Sequence, residues 1–210
     1  MIGKLLKRDL LMAIRSSNGL VLTFILLMIT TVIYSFMPEN KCNDPDFFAQ
    51  NILLTLTFAS LISANIIFFG DLEDGSLEQL LIAGASVEEI IIAKVIFHFL
   101  MSSLPIIIAQ PLIAPIFNIH LHNFSSVMLI VGISFSFTAV YTALIISLLN
   151  NNALIGNLVS LPMMIVPLIV AKLNLASNDY LMMLVGLTLI IAAATFLMSC
   201  VTLRDRVRKL

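Results

Sequence analysis

The sequence predicts an all-α integral membrane protein with about six transmembrane helices, and three observations carry that reading. Hydrophobic residues make up 60% of the 210 and charged residues only 11%, with a mean hydropathy of +1.09. A soluble domain carries about 25% charged residues to keep its surface hydrated. Six apolar runs are long enough to cross ~30 Å of hydrocarbon, which takes ~20 residues of helix. They cover approximately 19–37, 50–70, 90–117, 124–149, 153–171 and 180–203. Every charged residue except Lys94 lies outside these runs or at their ends. Lipid demands this, since a charge at a helix centre costs ~2.5–3.5 kcal/mol on insertion scales. Residues 1–210 therefore read as a single transmembrane domain, with no room for a large soluble domain beside it.

Residues 2–15 precede the first run and carry Lys4, Lys7, Arg8 and Arg15 on one arc at 100° per residue, with Leu5, Leu6, Leu10, Met12 and Ile14 on most of the remainder. That pattern fits an interfacial helix whose cations face anionic headgroups, or simply a topogenic basic cluster. The run that follows, Leu20 to Met37, is too long for the core of a signal peptide. It ends Phe36-Met37-Pro38-Glu39 without a small-residue cleavage site, so it reads as a retained first span. The third run contains Pro105, Pro111 and Pro115. Each proline removes a backbone donor and crowds the preceding turn, so a kinked or broken helix is expected there. Lys94, near the start of that run, is expected to snorkel to the interface. Pro162 and Pro167 supply further breaks in the fifth run.

Between the second and third runs lies the segment 71–89, which holds Asp71, Glu73, Asp74, Glu78, Glu88 and Glu89, half of the twelve carboxylates. Two helix starts are written into it. Ser76-Leu77-Glu78-Gln79 and Ser86-Val87-Glu88-Glu89 both fit the capping-box pattern, and Gly84 between them suits a helix stop. A helix of roughly two turns, 77–83, is expected, with Leu77, Leu80 and Leu81 on one face. Helices this short need a packing partner. Two readings stand: the helix packs on its own protein or lipid, or it enters a groove on a cytoplasmic partner.

The run Leu72 to Leu80, LEDGSLEQL, followed by Ala93-Lys94, His98 and Leu104-Pro105, resembles the family of cytochrome c maturation protein B, also called haem exporter protein B. The specific likeness covers about residues 70–115; span order and length extend it weakly along most of the chain. Just before the motif the chain has Phe68-Phe69-Gly70 where relatives tend to carry basic residues. The resemblance implies an ABC exporter-type permease of six spans whose ATP is bound by a separate ABC ATPase subunit. It implies a role in haem export or in ATP-driven release of a haem chaperone, beside other cytochrome c maturation membrane proteins in a bacterial inner membrane. The segment 71–89 would then be the coupling segment, with Asp74, Gly75, Ser76, Leu77, Glu78, Gln79, Leu80 and Leu81 as partner-binding residues and 77–83 expected to dock through its leucine face. No GxxxxGK[ST] phosphate loop occurs in the chain, in agreement with ATP bound elsewhere. Another ABC exporter permease, or an ATP-independent secondary transporter, is the alternative. The latter usually keeps a carboxylate at mid-membrane for ion coupling, and the runs contain none. A non-transporting scaffold within the same family also stands open.

Other chemistry is thinly supported. His98 lies in the third run, and His120 and His122 flank Leu121 in the next loop. Haem or metal ligation by His98 competes with a packed polar residue, and the chain has no tryptophan, no CxxC and no Cys-x-x-Cys-His. The expectation is that this subunit holds no metal and no haem of its own. Gly132-Ile133-Ser134-Phe135 departs from the Gly-x-Ser-Gly of a rhomboid protease, and no span holds the carboxylates of an aspartyl type. No catalytic residue is assigned, and no feature points to nucleic acid.

Charge distribution sets the expected orientation. Lys4, Lys7, Arg8, Arg15, Lys94, Arg204, Arg206, Arg208 and Lys209 fall on one side, and only Lys41 and Lys172 on the other. Nine against two places both termini in the cytoplasm. Cys42 then faces outside. A membrane-impermeant thiol reagent applied to spheroplasts is expected to label the native protein but not Cys42→Ser; labelling that persists in the variant would invert this topology.

Overall fold

The computed structural model describes residues 1–16, 18–38, 44–68, 71, 74–119, 124–148, 153–177 and 179–207. Lys41, Cys42, Phe69, Gly70, Leu72, Glu73, His120, His122, Arg208 and Lys209 lie outside them. Within the described residues the chain is all helical. The elements are α1 (Ile2–Ser16), α2 (Asn18–Ser35), α3 (Pro45–Ala64), α4 (Ser76–Ile82), α5 (Val87–His98), a π turn (Phe99–Ser103), α6 (Leu104–Ile113), a 3-10 turn (Ala114–Phe117), α7 (Phe124–Leu148), α8 (Ala153–Ser177) and α9 (Leu181–Val207). Five stretches are long and apolar enough to cross a membrane: Pro45–Ala64, Val87–Phe117, Phe124–Leu148, Leu154–Leu175 and Leu181–Asp205. A sixth apolar stretch, Val21–Ser35 in α2, is shorter.

Burial explains the arrangement. Two thirds of the apolar stretch of α7 is buried, but only 17% of that of α9. α7 is thus the central post, against which α3, α5, α8 and α9 pack. The outer helices keep apolar side chains on their free faces, such as Leu158, Ile165 and Ile169 on α8 and Leu189, Ile190 and Leu197 on α9. In water such a surface would be untenable; in hydrocarbon it is the expected solvent contact. Serine and threonine are tolerated inside because their hydroxyls donate back to carbonyls three or four residues earlier. Examples are Thr31 to Leu27, Thr57 to Leu53 and Thr142 to Thr138, at 2.7–2.8 Å.

α3 begins at Pro45, five residues before the second run predicted from hydropathy, and ends at Ala64. The start is set by Asp44, whose carboxylate accepts from the Asp46 amide at 3.0 Å, and by Pro45 in the first helical position. At that end Tyr34, Phe47, Phe48 and Phe117 form an aromatic cluster, with ring centroids 4.8–6.4 Å apart, that ties α2 to α3 and to the end of the third span.

The third span stays helical from Val87 to Phe117, but its α pitch is interrupted by the π turn just ahead of Pro105. Pro105 has no amide to offer the carbonyl of Met101, four residues before it. Thr23 of α2 replaces that donor, its hydroxyl reaching the Met101 oxygen at 3.3 Å. The widened turn meets α7 at Gly132, where a Cβ would stand 3.0 Å from the Ser103 Cβ and 3.3 Å from the Phe99 ring. The absence of a side chain there lets α7 and the π turn approach each other. Gly186 on α9, by contrast, has nothing within 4 Å of its Cβ position. Gly132→Val is therefore expected to destabilise the detergent-purified protein by about 1–3 kcal/mol, and Gly186→Val to have little effect. Thermal unfolding of the two variants side by side checks this; equal stabilities would contradict the close approach.

Candidate functional site

α4 is built by its flanks. Gly75 is the N-cap, with φ +65 and no side-chain cap. The capping box expected from Ser76 and Gln79 does not form. The helix starts one residue earlier than that pattern needs: Gly75 takes the N-cap and Ser76 is the first helical residue, its hydroxyl donating to Asp71 Oδ1 at 2.8 Å. The C-terminus closes as the sequence indicated. Gly84 takes φ +86, its amide reaches the Leu81 oxygen at 3.0 Å, and the Ala85 amide reaches Leu80 at 3.1 Å. These two bonds make a Schellman motif.

The leucine face of α4, expected to dock on the partner, turns into the protein instead. Leu77 is 2% exposed, and Leu80 and Leu81 pack half-buried on the same cluster, which includes Leu5, Phe68, Ile90, Ile91 and Leu203. Of the eight predicted partner-binding residues, Asp74, Glu78 and Gln79 are exposed, Gly75 and Ser76 are half-buried, and Leu77 is buried. The free face also presents Ile82, 86% exposed, which the sequence reading did not single out.

α5 starts at the second capping box, which forms as expected: Ser86 Oγ accepts from the Glu89 amide and the Ser86 amide donates to Glu89 Oε2, both at 3.2 Å. Arg204, near the end of α9, pairs with Glu88. Two turns further, Lys94 does not snorkel to the interface. Its side chain is 5% exposed and lies between two carboxylates, Asp9 Oδ2 at 3.0 Å and Asp71 Oδ2 in close contact. Arg8 completes the set, with Nη2 2.7 Å from Asp9 Oδ1 and 2.9 Å from Asp71 Oδ1. Thus Arg8 turns inward rather than to headgroups, while Lys4 and Lys7 on the same helix stay exposed. The Lys94 ammonium also stands 5.5 Å from the Phe68 ring centroid and 6.0 Å from that of Phe97. Two cations and two carboxylates make the cluster neutral, which is the condition for burying it.

Asp9 and Asp71 were missed as site residues. The signal for them was Lys94 itself, since a cation inside an apolar run needs a counterion. Burial alone would raise the Asp71 pKa. The charge and hydrogen bond of Lys94, the Ser76 hydroxyl and the charge of Arg8 outweigh it, and the carboxyl sits below its usual range.

His98 lies one turn beyond Lys94 and is 1% exposed. Its Nε2 is 2.8 Å from Ser63 Oγ of α3, and its Nδ1 is 3.1 Å from Ser136 Oγ of α7. Ser136 gives its own proton to the Gly132 oxygen at 2.8 Å, so it accepts from Nδ1–H. Both ring nitrogens are engaged by protein hydroxyls, the arrangement of a packed polar residue pinning three spans. Among the described residues no three His, Cys, Asp or Glu side chains gather as a metal site. A cleft of about 320 Å³ beside the π turn is lined by Ile92, Val95, Ile96, Phe99, Ile133 and Phe137, with Ser136 the one polar side chain.

Among the described residues, a bundle of long apolar helices around a central post, with one short helix packed at its end, defines a polytopic membrane protein. Residues 1–205 match the family described as CcmB protein, and the chain belongs to that family. It is 36% identical over 118 residues to "Heme exporter protein B" of Rhodobacter capsulatus, covering 55% of this chain and 53% of that protein. The chain thus aligns with about half the length of that relative. Over 83% of this chain and 79% of the other, it is 28% identical to "Heme exporter protein B" of Haemophilus influenzae. An uncharacterized protein of Rickettsia conorii is 29% identical over 96% of this chain and 95% of its own length.

The cluster makes a stability prediction. Asp71→Asn or Lys94→Met alone leaves a buried charge uncompensated and is expected to cost about 3–5 kcal/mol, while the double variant recovers most of it. The Asp71 pKa is depressed in the folded state, so its contribution is complete above the ordinary value of 3.8 and lost as pH falls through the folded value. Thermal unfolding of the purified protein should therefore show this loss only in strongly acidic buffer, and the double variant should lack it. Additive single-site losses would contradict the pairing.

Proposed function

We propose that this chain is the membrane permease subunit of an ABC-type complex for c-type cytochrome biogenesis, acting in haem export or in ATP-driven release of a haem chaperone. The observation that carries the reading is the match to the CcmB family along residues 1–205. The name heme exporter protein B, borne by relatives from Rhodobacter and Haemophilus, supports haem as the handled ligand. ATP belongs to a separate ABC ATPase subunit, and this chain keeps no cofactor of its own. Other cytochrome c maturation membrane proteins and the lipid bilayer are its remaining partners.

α4 is the docking element for the ATPase. Its leucine face is occupied inside the permease, so the partner meets the opposite face: Asp74, Glu78, Gln79 and the protruding Ile82. An exposed isoleucine ringed by acids suits an apolar hole with a basic rim. The nine-to-two asymmetry of basic residues supports a cytoplasmic position for this end, and with it for both termini, in a bacterial inner membrane.

Purification of the complex from native membranes tests the reading. An ABC ATPase is expected to accompany the wild-type chain, and Ile82→Asp to reduce its recovery about tenfold or more while the permease remains inserted. The permease stripped of its partners is expected to show no Soret band. Normal ATPase recovery and normal cytochrome c yield in Ile82→Asp would remove α4 as the docking element. A strong Soret band from the lone subunit would contradict the assignment of haem to its partners.

A further inference from the structure

We propose that the Arg8–Asp9–Asp71–Lys94 cluster is the joint that carries displacement of α4 into the membrane, with Asp71 and Lys94 as positioning residues. This rests on the docking of α4 proposed above and adds the route by which docking is felt.

Asp71 sits where the elements meet. One of its oxygens takes the hydroxyl of Ser76, the first residue of α4, and the guanidinium of Arg8 on α1; the other takes the ammonium of Lys94 on α5. Asp9 repeats the pattern from α1, bound to Arg8 on its own helix and to Lys94 across the gap. Each cation therefore touches both carboxylates. Neither α1 nor the head of α5 can shift relative to Asp71 without separating opposite charges at carboxylates and an ammonium that are all but buried, and α4 is tied to the same point by the Ser76 hydroxyl. An apolar filling of equal volume would hold the segments together at least as firmly. What the charges add is a fixed mutual geometry, so that α1, α4 and the head of α5 move as a body.

Span three then supplies the onward path. His98 follows Lys94 by four residues, about 6 Å along the helix axis, and grips Ser63 of α3 and Ser136 of α7. Directly after it comes the π turn, where the hydrogen-bond register is already relaxed and Gly132 leaves α7 in close contact. π turns inside helices mark places where the rod bends. Displacement of α4 thus enters at Asp71, passes to Lys94, and is applied through His98 to three spans beside the π turn.

The test uses the intact complex and three variants: Asp71→Asn/Lys94→Met, which removes one opposite pair and keeps the cluster neutral; the charge-conserving Asp71→Glu/Lys94→Arg; and Ser76→Ala. Four quantities are read: permease abundance, co-purifying ATPase, ATP hydrolysis, and mature c-type cytochrome formed per ATP hydrolysed. The neutral double variant is expected to accumulate and to retain the ATPase, yet to lose cytochrome formed per ATP by about fivefold or more. Ser76→Ala, which cuts only the link from α4, is expected to lose about threefold. The charge-conserving pair should keep most of the yield. A neutral double variant with wild-type yield per ATP overturns the joint, as does a loss explained wholly by reduced ATPase recovery. If that variant fails to accumulate, Ser76→Ala decides: wild-type yield per ATP overturns the joint. A wild-type complex that brings no ATPase fails at the earlier step and overturns the docking reading together with the joint.

Discussion

Lys94 is the eighth residue of a helix that otherwise reads Val-Glu-Glu-Ile-Ile-Ile-Ala-x-Val-Ile-Phe-His, and its ammonium is buried. An ammonium in that position is stable only beside carboxylates, and the chain must deliver them. The organisation of this end of the bundle follows from that requirement. α1 folds back against α5 to bring Asp9, with Leu5 anchoring it in the same core. The link after α3 brings Asp71, and Asp71 in turn fixes the first residue of α4. Arg8 supplies the second positive charge that two carboxylates need. One face of a helix that in isolation would lie on the lipid surface, with Leu5 and Asp9, thereby packs into the protein.

Away from that end, polarity is handled without charge. Hydroxyls return their protons to their own helix, His98 is shared between two serines, and Thr23 takes up the carbonyl that Pro105 leaves bare. The result is a stack of apolar spans around α7, with the α pitch of span three interrupted at its π turn. Rigid charge at one end and a bend next to it are the ingredients for turning a push into a change of helix angle. A partner that supplies the push is what membership of the CcmB family leads one to propose.

Much of the fold was legible in the sequence because lipid imposes a simple rule: long uncharged runs become helices. The Ser86–Glu89 cap and the Gly84 stop were legible because both are local devices. Three prolines announced an interruption of span three, although the placement of the π turn at Phe99–Ser103 depends on packing against Thr23 and Gly132. What could not be read was long-range. The partners of Lys94 lie 85 and 23 residues away, and nothing local marks Asp9 as different from the basic arc around it. The cap expected from Ser76 failed because Gly75 takes the N-cap position and the helix already includes Ser76, whose hydroxyl goes to Asp71. The direction of the leucine face was likewise a matter of what α4 packs on; its pattern predicted a face, and only the fold decided that the face looks inward.

The central claim is that α1, α4 and the head of span three form one body that moves as a unit when the partner acts. The most direct measurement is the spin-label distance between Lys7 on α1 and Glu78 on α4, both exposed, compared with that between Glu78 and Asp46 at the opposite end. Both are recorded in the assembled complex with and without nucleotide. The account predicts an unchanged Lys7–Glu78 distance and a shifted Glu78–Asp46 distance. A Lys7–Glu78 distance that changes with nucleotide would show the elements moving independently and would contradict it.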